Sequence, residues 1–356
     1  MSVLIIAEAG VNHNGEKDKA FALIDVAAAA GADAVKFQTF NAERLAAMTA
    51  PKAAYQNRTT DASQSQLEML KQLELPLEWH KELQAHAAER GIQFISTAFD
   101  LESLAFLEVL NLPFYKIPSG EITNGPLLLA FARTGKKVVL STGMATLGEI
   151  EQALAILAWG YVERESPPNL EKIWQHWSTP RAGKAIAEKV SLLHCTSQYP
   201  TAMEEVNLRA IDALWSSFGL PVGYSDHTQG LLVPIAAVAR GAQIIEKHFT
   251  LDRGLPGPDH KASLEPQELS QMVEGIRSIE TALGDARKRP QLSEWDSRAA
   301  ARQQIVAVLP IHSGEEITAA HLGTARAGAG ESPVYLWDLI GTKATRNYSV
   351  GDTLER

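Results

Sequence analysis

Residues 221–249, PVGYSDHTQGLLVPIAAVARGAQIIEKHF, contain a short apolar strand segment, an Ala/Val-rich helical segment and a second apolar strand segment. Apolar residues in these segments follow one another, as at residues 244–245, rather than alternating strictly with polar ones, which is typical of a parallel sheet covered on both faces. Parallel strands also need a crossover connection, and a helix of this length supplies one. The stretch therefore predicts one strand–helix–strand unit of an α/β protein.

The same order of strand and helix recurs along most of the chain. The earlier strand segments are Val3–Ala9, Ala34–Phe40, Gln93–Phe99, Phe114–Ile117, Lys137–Ser141 and Ser191–Cys195. Together with Pro221–Ser225 and Gln243–Phe249 they make about eight βα units, the number in a closed (β/α)₈ barrel. We therefore predict a TIM barrel over residues 1–284. A doubly wound open sheet is the alternative, because a sequence pattern alone does not show closure.

Three segments depart from this order. Residues 41–75 form a long polar connection, of a length that is typical of functional lids or disordered segments. Residues 159–189 hold three tryptophans and three prolines, which predicts an insertion with its own small helix, used for packing or an oligomer contact. After a charged linker at 285–300, short segments with Gly-centred turns predict a small β-rich domain over 301–356. A domain of that size has too little core to catalyse alone.

Composition excludes several classes of protein. The 356 residues include 33 Lys plus Arg and 42 Asp plus Glu, a formal net charge of −9, which argues against a dedicated nucleic-acid binder. No apolar run reaches the ~20 residues of a membrane span, and the apolar start at Val3 is too short and lacks the basic flank of a signal peptide. The single cysteine, Cys195, excludes an intrachain disulfide. We expect a cytoplasmic protein with no nucleic-acid or membrane partner.

Polar side chains follow nearly every apolar strand segment. In a βα barrel the carboxyl ends of the strands form one face, where active sites lie. The residues at these ends include Glu8, Lys36, Gln38, Thr97, Lys116, Ser119, Glu121, Ser141, Ser197, Tyr199, Ser225, His227, Glu246 and His248. Burying so many polar groups is costly unless they meet one another or a ligand. The sequence thus predicts a polar site here, with mutual hydrogen bonding as the alternative for each residue.

Two histidines end neighbouring strands of this series. His227 and His248 lie one βα unit apart, so their rings can face a common point. Two imidazoles suit Mn²⁺, Fe²⁺, Co²⁺ or Zn²⁺, with positions left open for water and substrate. Asp226 and Glu246 are candidates for orienting the histidines. The alternative is a pair of core or helix-capping histidines.

Two lysines lie among hydroxyl residues in the same series. Lys36 and Lys116 would need anionic partners if buried, and together they predict a pocket for a phosphate and a carboxylate. A second interpretation is that one lysine forms a Schiff base with the substrate. A single lysine in an apolar niche would favour that chemistry, whereas two lysines among hydroxyls favour anion binding. A third is that both lysines form purely structural pairs with Glu8 and Glu121.

A series of motifs resembles the sialic acid synthase family over almost the whole chain. The motifs, in family order, are residues 6–15 (IAEAGVNHNG), 35–38 (VKFQ), 96–97 (ST), 116–121 (KIPSGE), 141–144 (STGM), 194–196 (HCT), 199–201 (YPT), 224–228 (YSDHT), 246–250 (EKHFT) and 256–260 (PGPDH). The resemblance implies a TIM barrel followed by a small antifreeze-like domain (SAF, a β-clip fold). It also implies a metal-dependent condensation of phosphoenolpyruvate with an N-acetylated mannosamine-type sugar and water, releasing phosphate.

The resemblance assigns roles residue by residue. His227 and His248 match ligands of Mn²⁺, with Mg²⁺ or Co²⁺ as substitutes, and Glu121 matches a proton-handling carboxylate. Arg326 matches an arginine that reaches from the C-terminal domain into the barrel of the partner in a domain-swapped homodimer. The residues that match the phosphoenolpyruvate-binding set are Lys36, Thr97, Lys116, Ser119, Ser141 and Ser225. Ser197 is a further candidate for this set, although it stands where many relatives have Asn. The residues that match groups around the sugar are Glu8, Gln38, Tyr199 and Asp259.

The resemblance leaves the sugar open. Residues 50–56 (APKAAYQ) and 259–263 (DHKAS) look more like legionaminic acid synthases, which take 2,4-diacetamido-2,4,6-trideoxymannose, than like enzymes for N-acetylmannosamine. The product would be N,N'-diacetyllegionaminate or N-acetylneuraminate, respectively. Another phosphoenolpyruvate-condensing barrel, acting on a phosphorylated sugar, and a non-catalytic carbohydrate-binding protein are the alternative functions.

Overall fold

The computed structural model describes residues 2–61 and 63–356, apart from the side chains of Tyr55, Arg58 and Thr59. It divides into two compact units, Met1–Gly284 and Asp285–Arg356. Among the described residues, no helix is both long and apolar enough to cross a membrane.

Eight parallel strands form the first unit's sheet. They are β1 Leu4–Gly10, β2 Ala34–Thr39, β3 Gln93–Ala98, β4 Phe114–Ile117, β5 Lys137–Ser141, β6 Val190–Cys195, β7 Val222–Asp226 and β8 Ile244–His248. The strand order is β3-β2-β1-β8-β7-β6-β5-β4, so the first and last strands are hydrogen-bonded neighbours. The two ends of this order, β3 and β4, also lie side by side. The predicted (β/α)₈ barrel is therefore confirmed, and the open doubly wound sheet is wrong.

Helices surround these strands and form the second layer. They are α1 Lys17–Ala29, α2 Ala42–Leu45, α3 Ala54–Thr59, α4 Gln66–Leu73, α5 His80–Glu89, α6 Leu101–Val109, α7 Gly125–Arg133, α8 Leu147–Val162, α9 Leu170–Trp177, α10 Pro180–Lys189, α11 Ala210–Phe218, α12 Leu232–Ala239 and α13 Pro266–Leu283. Local sequence sets where several begin. Thr146 caps α8 by accepting from Glu149 N, while the Glu149 carboxylate accepts from Thr146 N, the reciprocal pattern of a capping box.

Apolar side chains fill the space between the layers and the inside of the barrel. The main core lies between strands and helices, and includes Ile5, Phe37 and Tyr224. A separate cluster takes one buried residue from each of seven strands: Ile6, Ala34, Ile95, Phe114, Val139, Leu193 and Ile244. Because successive side chains of a strand point to opposite faces, this second set faces the barrel interior. It supports the polar strand ends from below.

The connection at residues 41–75 is not simply a polar loop, as the sequence suggested. It holds the short helices α2, α3 and α4. Leu45, Met69, Leu70 and Leu73 pack with Val11, Phe40 and Phe99 in a cluster that we call the mouth cluster. The helices form because these apolar residues, scattered among polar ones, find a common surface beside the barrel mouth.

The insertion predicted at residues 159–189 begins a few residues later in the structure. Helix α8 continues to Val162, and Trp159 is buried within it. Helices α9 and α10 both pack on α8, and the Trp177 indole donates to Glu151 of α8 at 3.1 Å. The segment is thus a helical addition to the outer layer of the barrel unit.

The second unit contains little regular strand. Strands β9 Gln304–Ala307 and β10 Leu322–Ala325 are antiparallel, and a small core includes Ile305, Ile317 and Leu354. The predicted linker at 285–300 is not extended throughout, because helix α14 spans Trp295–Ala301. Helix α15 covers Leu336–Leu339. The structure thus describes a small β-containing unit, and its antifreeze-like character stays a prediction.

Candidate active site

A cavity of about 480 Å³ opens at the carboxyl ends of the strands. All eight barrel strands contribute to its lining, from Glu8 on β1 to His248 on β8. The predicted site residues that line it are Glu8, Lys36, Gln38, Thr97, Lys116, Ser119, Glu121, Ser141, Ser197, Tyr199, Ser225, His227, His248 and Asp259. Arg326 follows β10 in the second unit, where it is exposed, so its predicted reach into a barrel stays a prediction.

Lys36 lies at the centre of a buried network of charges. Its Nζ is 2.7 Å from Glu8 Oε2 and 3.7 Å from Glu246 Oε2. It also donates to Thr97 Oγ1 at 3.3 Å. Burial lowers the pKa of Lys36, but Glu246 and Glu8 more than reverse this and raise it. Lys36 is therefore a permanently charged ammonium inside the cavity.

Lys116 is paired with a residue other than the predicted one. Its Nζ donates to Glu246 Oε1 at 2.9 Å, whereas Glu121 accepts from Asn124 Nδ2 at 2.7 Å. The structural interpretation that paired Lys116 with Glu121 is therefore wrong, although Lys36 does pair with Glu8. Spacing along the chain did not reveal this, because Glu246 comes from a strand on the other side of the barrel.

The two carboxylates of this network differ in their proton affinity. Burial raises the pKa of Glu8 to about 7, against the attraction of Lys36 and with the help of the Glu246 charge. Burial also acts to raise the pKa of Glu246, but Lys116 and Lys36 hold it well below its ordinary value. Acid–base chemistry requires two carboxyl groups with different pKa values, so that one is protonated while the other is ionised. Glu246 stays ionised and neutralises the lysines, while Glu8 can carry a proton near neutral pH.

Small polar groups surround the lysines on the side of β4, β5 and β6. Gly143 N donates to Ser119 Oγ at 2.9 Å, and Ser225 Oγ donates to Glu246 Oε1 at 2.9 Å. A side chain at Gly143 would come within 2.4 Å of Ser197 Oγ, so glycine is required for this close approach. Ser141 Oγ is buried with no hydrogen-bond partner among the described residues. Such a hydroxyl is expected to bond to a ligand.

The two histidines lie together, as predicted. Their ring centroids are 5.6 Å apart, and the Tyr199 ring lies 4.1 Å from that of His227. Burial lowers the pKa of His227 to about 4. Burial, together with the neighbouring His227, also lowers the pKa of His248 well below its ordinary value. Both imidazoles are therefore neutral at physiological pH, the form that ligates a metal.

The described residues contain no group of three or more His, Cys, Asp or Glu side chains arranged to hold a metal ion. The two histidines nevertheless fit a site that substrate and water complete. His227 Nδ1 donates to Thr196 O at 2.7 Å, which leaves Nε2 with its lone pair. His248 Nδ1 is buried without a hydrogen-bond partner in the described chain, and the nearby Asp259 Oδ2 is 4.0 Å away.

Further polar groups lie between the histidines and Glu8. Gln38 Nε2 donates to Glu8 Oε1 at 3.3 Å. Asp259 is buried, and burial raises its pKa to about 6 despite the Lys36 charge. These groups can bond to hydroxyl or amide groups of a second ligand beside the lysines.

The opposite part of the cavity is apolar, which the sequence did not indicate. Here the mouth cluster contributes Phe40, Leu45, Met69, Leu70, Leu73 and Phe99 to the lining. Gln56 and Gln66 are the amides in this part of the described lining. The cavity therefore has a charged end at the strands and an apolar end under α2 and α4.

This geometry defines a class: a TIM-barrel protein whose cavity at the strand ends combines a buried network of lysines and carboxylates with an apolar wall. The chain belongs to the NeuB family, whose model matches residues 23–288. It is 47% identical over 345 residues, covering 97% of this chain and 96% of the relative, to the N,N'-diacetyllegionaminic acid synthase of Campylobacter jejuni. It is 43% identical to the enzyme of that name from Legionella pneumophila, covering 99% and 94% of the two chains.

A solved structure shares this architecture. The N-acetylneuraminic acid synthetase of Leptospira borgpetersenii, in complex with citrate, is 35% identical and superposes with a TM-score of 0.66. The match covers 83% of this chain and 90% of that one. The family resemblance that the sequence motifs predicted is confirmed.

Proposed function

We propose that the protein is a nonulosonic acid synthase that condenses phosphoenolpyruvate with 2,4-diacetamido-2,4,6-trideoxymannose and water. The products are N,N'-diacetyllegionaminate and phosphate. The observation that carries this proposal is the pairing of a two-lysine anion site with an apolar wall in one cavity. The names of the two most similar relatives given above support the same substrate.

Phosphoenolpyruvate fits the charged end of the cavity. Its phosphate and carboxylate groups match two ammonium groups, Lys36 and Lys116, that are buried and already desolvated. The hydroxyls of Ser119, Ser141 and Ser225 surround these lysines. Buried lysines of this kind favour anion binding over a Schiff base, because each already forms an ion pair with a carboxylate.

The condensation joins C3 of phosphoenolpyruvate to the aldehyde carbon of the open-chain sugar. Water then adds at C2, and the bond between C2 and the phosphate oxygen breaks to release phosphate. Glu8, whose pKa is about 7, is positioned to give a proton to the sugar oxygen as the new bond forms. Glu121, at the cavity edge, is the second carboxylate and accepts the proton that the water loses when it adds at C2.

We further propose that His227 and His248 hold a divalent cation, Mn²⁺ in preference to Mg²⁺ or Co²⁺. Their neutral rings and open faces fit such an ion, as described above. When bound, the ion would supply Lewis-acid polarisation of the aldehyde. The histidines would then orient the sugar toward phosphoenolpyruvate, while Tyr199 packs against the His227 ring.

The apolar end of the cavity selects the sugar. In 2,4-diacetamido-2,4,6-trideoxymannose an acetamido group replaces the C4 hydroxyl of N-acetylmannosamine, and C6 is a methyl group instead of a hydroxymethyl group. Leu70, Met69 and Phe99 favour those methyl groups, because burying a hydroxyl against them without a partner is costly. Gln66 lies in the same wall and can bond to an acetamide.

We expect the purified protein to release phosphate from phosphoenolpyruvate at least tenfold more efficiently with the diacetamido sugar than with N-acetylmannosamine. In the Leu70→Asn variant, kcat/KM for the diacetamido sugar should fall by about tenfold, a typical effect of losing a small apolar contact. The measurement is phosphate release at varied sugar concentration. Leu101→Asn, at an exposed leucine of α6, is the control and should match the parent. Equal turnover of both sugars would contradict the substrate assignment, and turnover of neither would contradict the function.

The alternative of a synthase for a phosphorylated sugar lacks a second cationic site. Among the described side chains of the lining, Lys36 and Lys116 are the only lysine or arginine residues, and both lie at the phosphoenolpyruvate end. A non-catalytic carbohydrate-binding role does not explain two desolvated ammonium groups beside two neutral histidines. The condensing synthase accounts for both.

We also propose that the protein works as a domain-swapped homodimer in which Arg326 contacts the sugar in the partner's barrel. The support is the family resemblance together with the exposure of Arg326 on its own unit. Mixing two impaired variants, Arg326→Ala and His227→Ala, tests this after subunit exchange. Hybrid dimers would contain one complete site, so activity should recover to about a quarter of the parental value.

A mixture of His227→Ala with Lys116→Met controls for exchange alone, because each barrel of that hybrid lacks a required residue. It should recover no activity. Absence of recovery in the first mixture, with dimers and exchange demonstrated by size and mass, would contradict the swapped arrangement.

A further inference from the structure

The ladder between β7 and β8 ends before it reaches the two histidines. The last paired residues are Asp226 and Lys247, and His227 and His248 are the next residue on each strand. Backbone pairing of these two strands therefore does not itself fix the separation of the histidine rings. Other contacts must hold the chain at this point.

Lys247 supplies those contacts from the outer face of the barrel. Its Nζ donates to Asp226 Oδ2 at 2.6 Å and also to the carbonyl oxygen of Thr228. These two acceptors lie immediately before and immediately after His227. The same lysine is the residue before His248, so one ammonium group ties the backbone around both histidines.

The Asp226 carboxylate completes this arrangement. Its Oδ1 accepts from Thr228 N at 3.1 Å and its Oδ2 accepts from Thr228 Oγ1 at 3.0 Å. The side chains of Asp226 and Lys247 are both 0% exposed, so water does not compete with these bonds. We call Asp226, Thr228 and Lys247 the clamp.

Two backbone bonds hold the histidines from their other sides. Thr201 N donates to His227 O at 2.8 Å, and Leu264 N donates to His248 O at 2.9 Å. These bonds connect each histidine to a loop rather than to the other histidine. The clamp, in contrast, links the two chain segments that carry the histidines.

The contribution of a buried ion pair to folding stability does not by itself explain why these two residues are present. Replacing such a pair with apolar residues of similar volume is often neutral or even stabilising. Its charges instead impose a fixed geometry, since each bond requires a defined position of donor and acceptor. The pair lies where geometry affects a site, one residue from each histidine.

We propose that the clamp is a positioning device that sets the separation of His227 and His248 for a divalent cation. The inference rests on the proposed metal-binding role of these histidines. Neither Asp226 nor Lys247 lines the cavity, so both act through the neighbouring residues rather than on substrate. Loss of the clamp should weaken cation binding without removing a ligand.

The test compares Mn²⁺ binding by the parent and by the double variant Asp226→Asn/Lys247→Met. The double variant keeps the approximate volume of both side chains and leaves no buried charge unpaired. Titration followed by the electron paramagnetic resonance signal of free Mn²⁺ gives the dissociation constant directly. We expect the constant to rise at least tenfold, the effect typical of losing support for metal ligands, while the melting temperature changes by only a few degrees.

A second ion pair provides the matched control. Arg277 of α13 lies 2.8 Å from Asp33, far from the cavity lining, and Asp33→Asn/Arg277→Met should leave Mn²⁺ affinity unchanged. The single variant Lys247→Met is titrated in parallel. It removes the bonds from Lys247 but keeps the two bonds that Thr228 donates to Asp226, and so measures the effect of the lysine by itself. Raised Mn²⁺ concentration should restore turnover of both clamp variants.

The outcomes separate the two proposals. If the parent binds Mn²⁺ and folded clamp variants bind it equally well, the positioning role is overturned. If the clamp variants lose only thermal stability, the pair is structural and the inference is wrong. If the parent itself binds no Mn²⁺, the proposed metal site fails instead.

Discussion

Lys116→Met is expected to lower kcat/KM for phosphoenolpyruvate by about a thousandfold. The substitution removes one of two buried ammonium groups from the anion site and leaves Glu246, its partner at 2.9 Å, with only the more distant Lys36 as a counter-ion, at 3.7 Å. Losing a buried charged contact to a bound partner typically costs about 2–5 kcal/mol of binding free energy, and about 4 kcal/mol corresponds to a thousandfold in kcat/KM. The carboxylate would also repel the incoming phosphate.

Initial rates of phosphate release at varied phosphoenolpyruvate concentration measure this effect. Lys17→Met is the control, because Lys17 forms an exposed pair with Glu82 on the helical layer and pairs of that kind contribute little. Lys116→Met/Glu246→Gln should regain stability but not activity. A Lys116→Met protein that kept its parental kcat/KM would contradict the assignment of the anion site.

His227→Ala and His248→Ala are each expected to abolish tight binding of Mn²⁺ and to lower kcat by about a thousandfold or more. Each change removes one of only two proposed protein ligands, and Lewis-acid stabilisation of a developing charge is worth several kcal/mol. Binding of phosphoenolpyruvate should weaken less, because Lys36 and Lys116 remain.

Metal titration and phosphate release on the same preparations measure both effects. His86→Ala is the control, since His86 lies in α5 and pairs with Asp25 on the outer layer. Removal of divalent ions from the parent by a chelator should reproduce the loss, and added Mn²⁺ should reverse it. Full turnover by the chelated, metal-free parent would contradict the metal role.

The barrel itself could be predicted from sequence, because its cause is local. Uninterrupted apolar strand segments such as residues 4–7 (LIIA) require cover on both faces of the sheet, and that composition is visible residue by residue. Closure was not visible, since it depends on hydrogen bonds between β1 and β8, which lie about 240 residues apart.

The sequence indicated which barrel residues line the cavity and that Lys36 can pair with Glu8, but it did not indicate the partner of Lys116. The polar strand ends indicated which residues converge, because parallel strands place their carboxyl ends on one face. The partner of Lys116 was misassigned because Glu246 reaches it across the barrel, at a separation of 130 residues. The role of Gly143 was also hidden, since it depends on a close approach to Ser197 rather than on a motif.

The apolar wall was missed for a different reason. Residues 41–75 have a polar average, and Leu45, Met69 and Leu70 are too scattered to form a clear periodic pattern. They become a surface only when α2 and α4 fold against the barrel mouth. Tertiary packing therefore decided a feature that the local composition concealed.

The most direct test of the central claim is the mass spectrum of the product formed from phosphoenolpyruvate and 2,4-diacetamido-2,4,6-trideoxymannose with Mn²⁺. We predict one product that contains all the sugar carbons plus the three carbons of pyruvate, with one phosphate released per molecule formed. Phosphate release without this product, or a product that retains the phosphate, would contradict the proposed condensation.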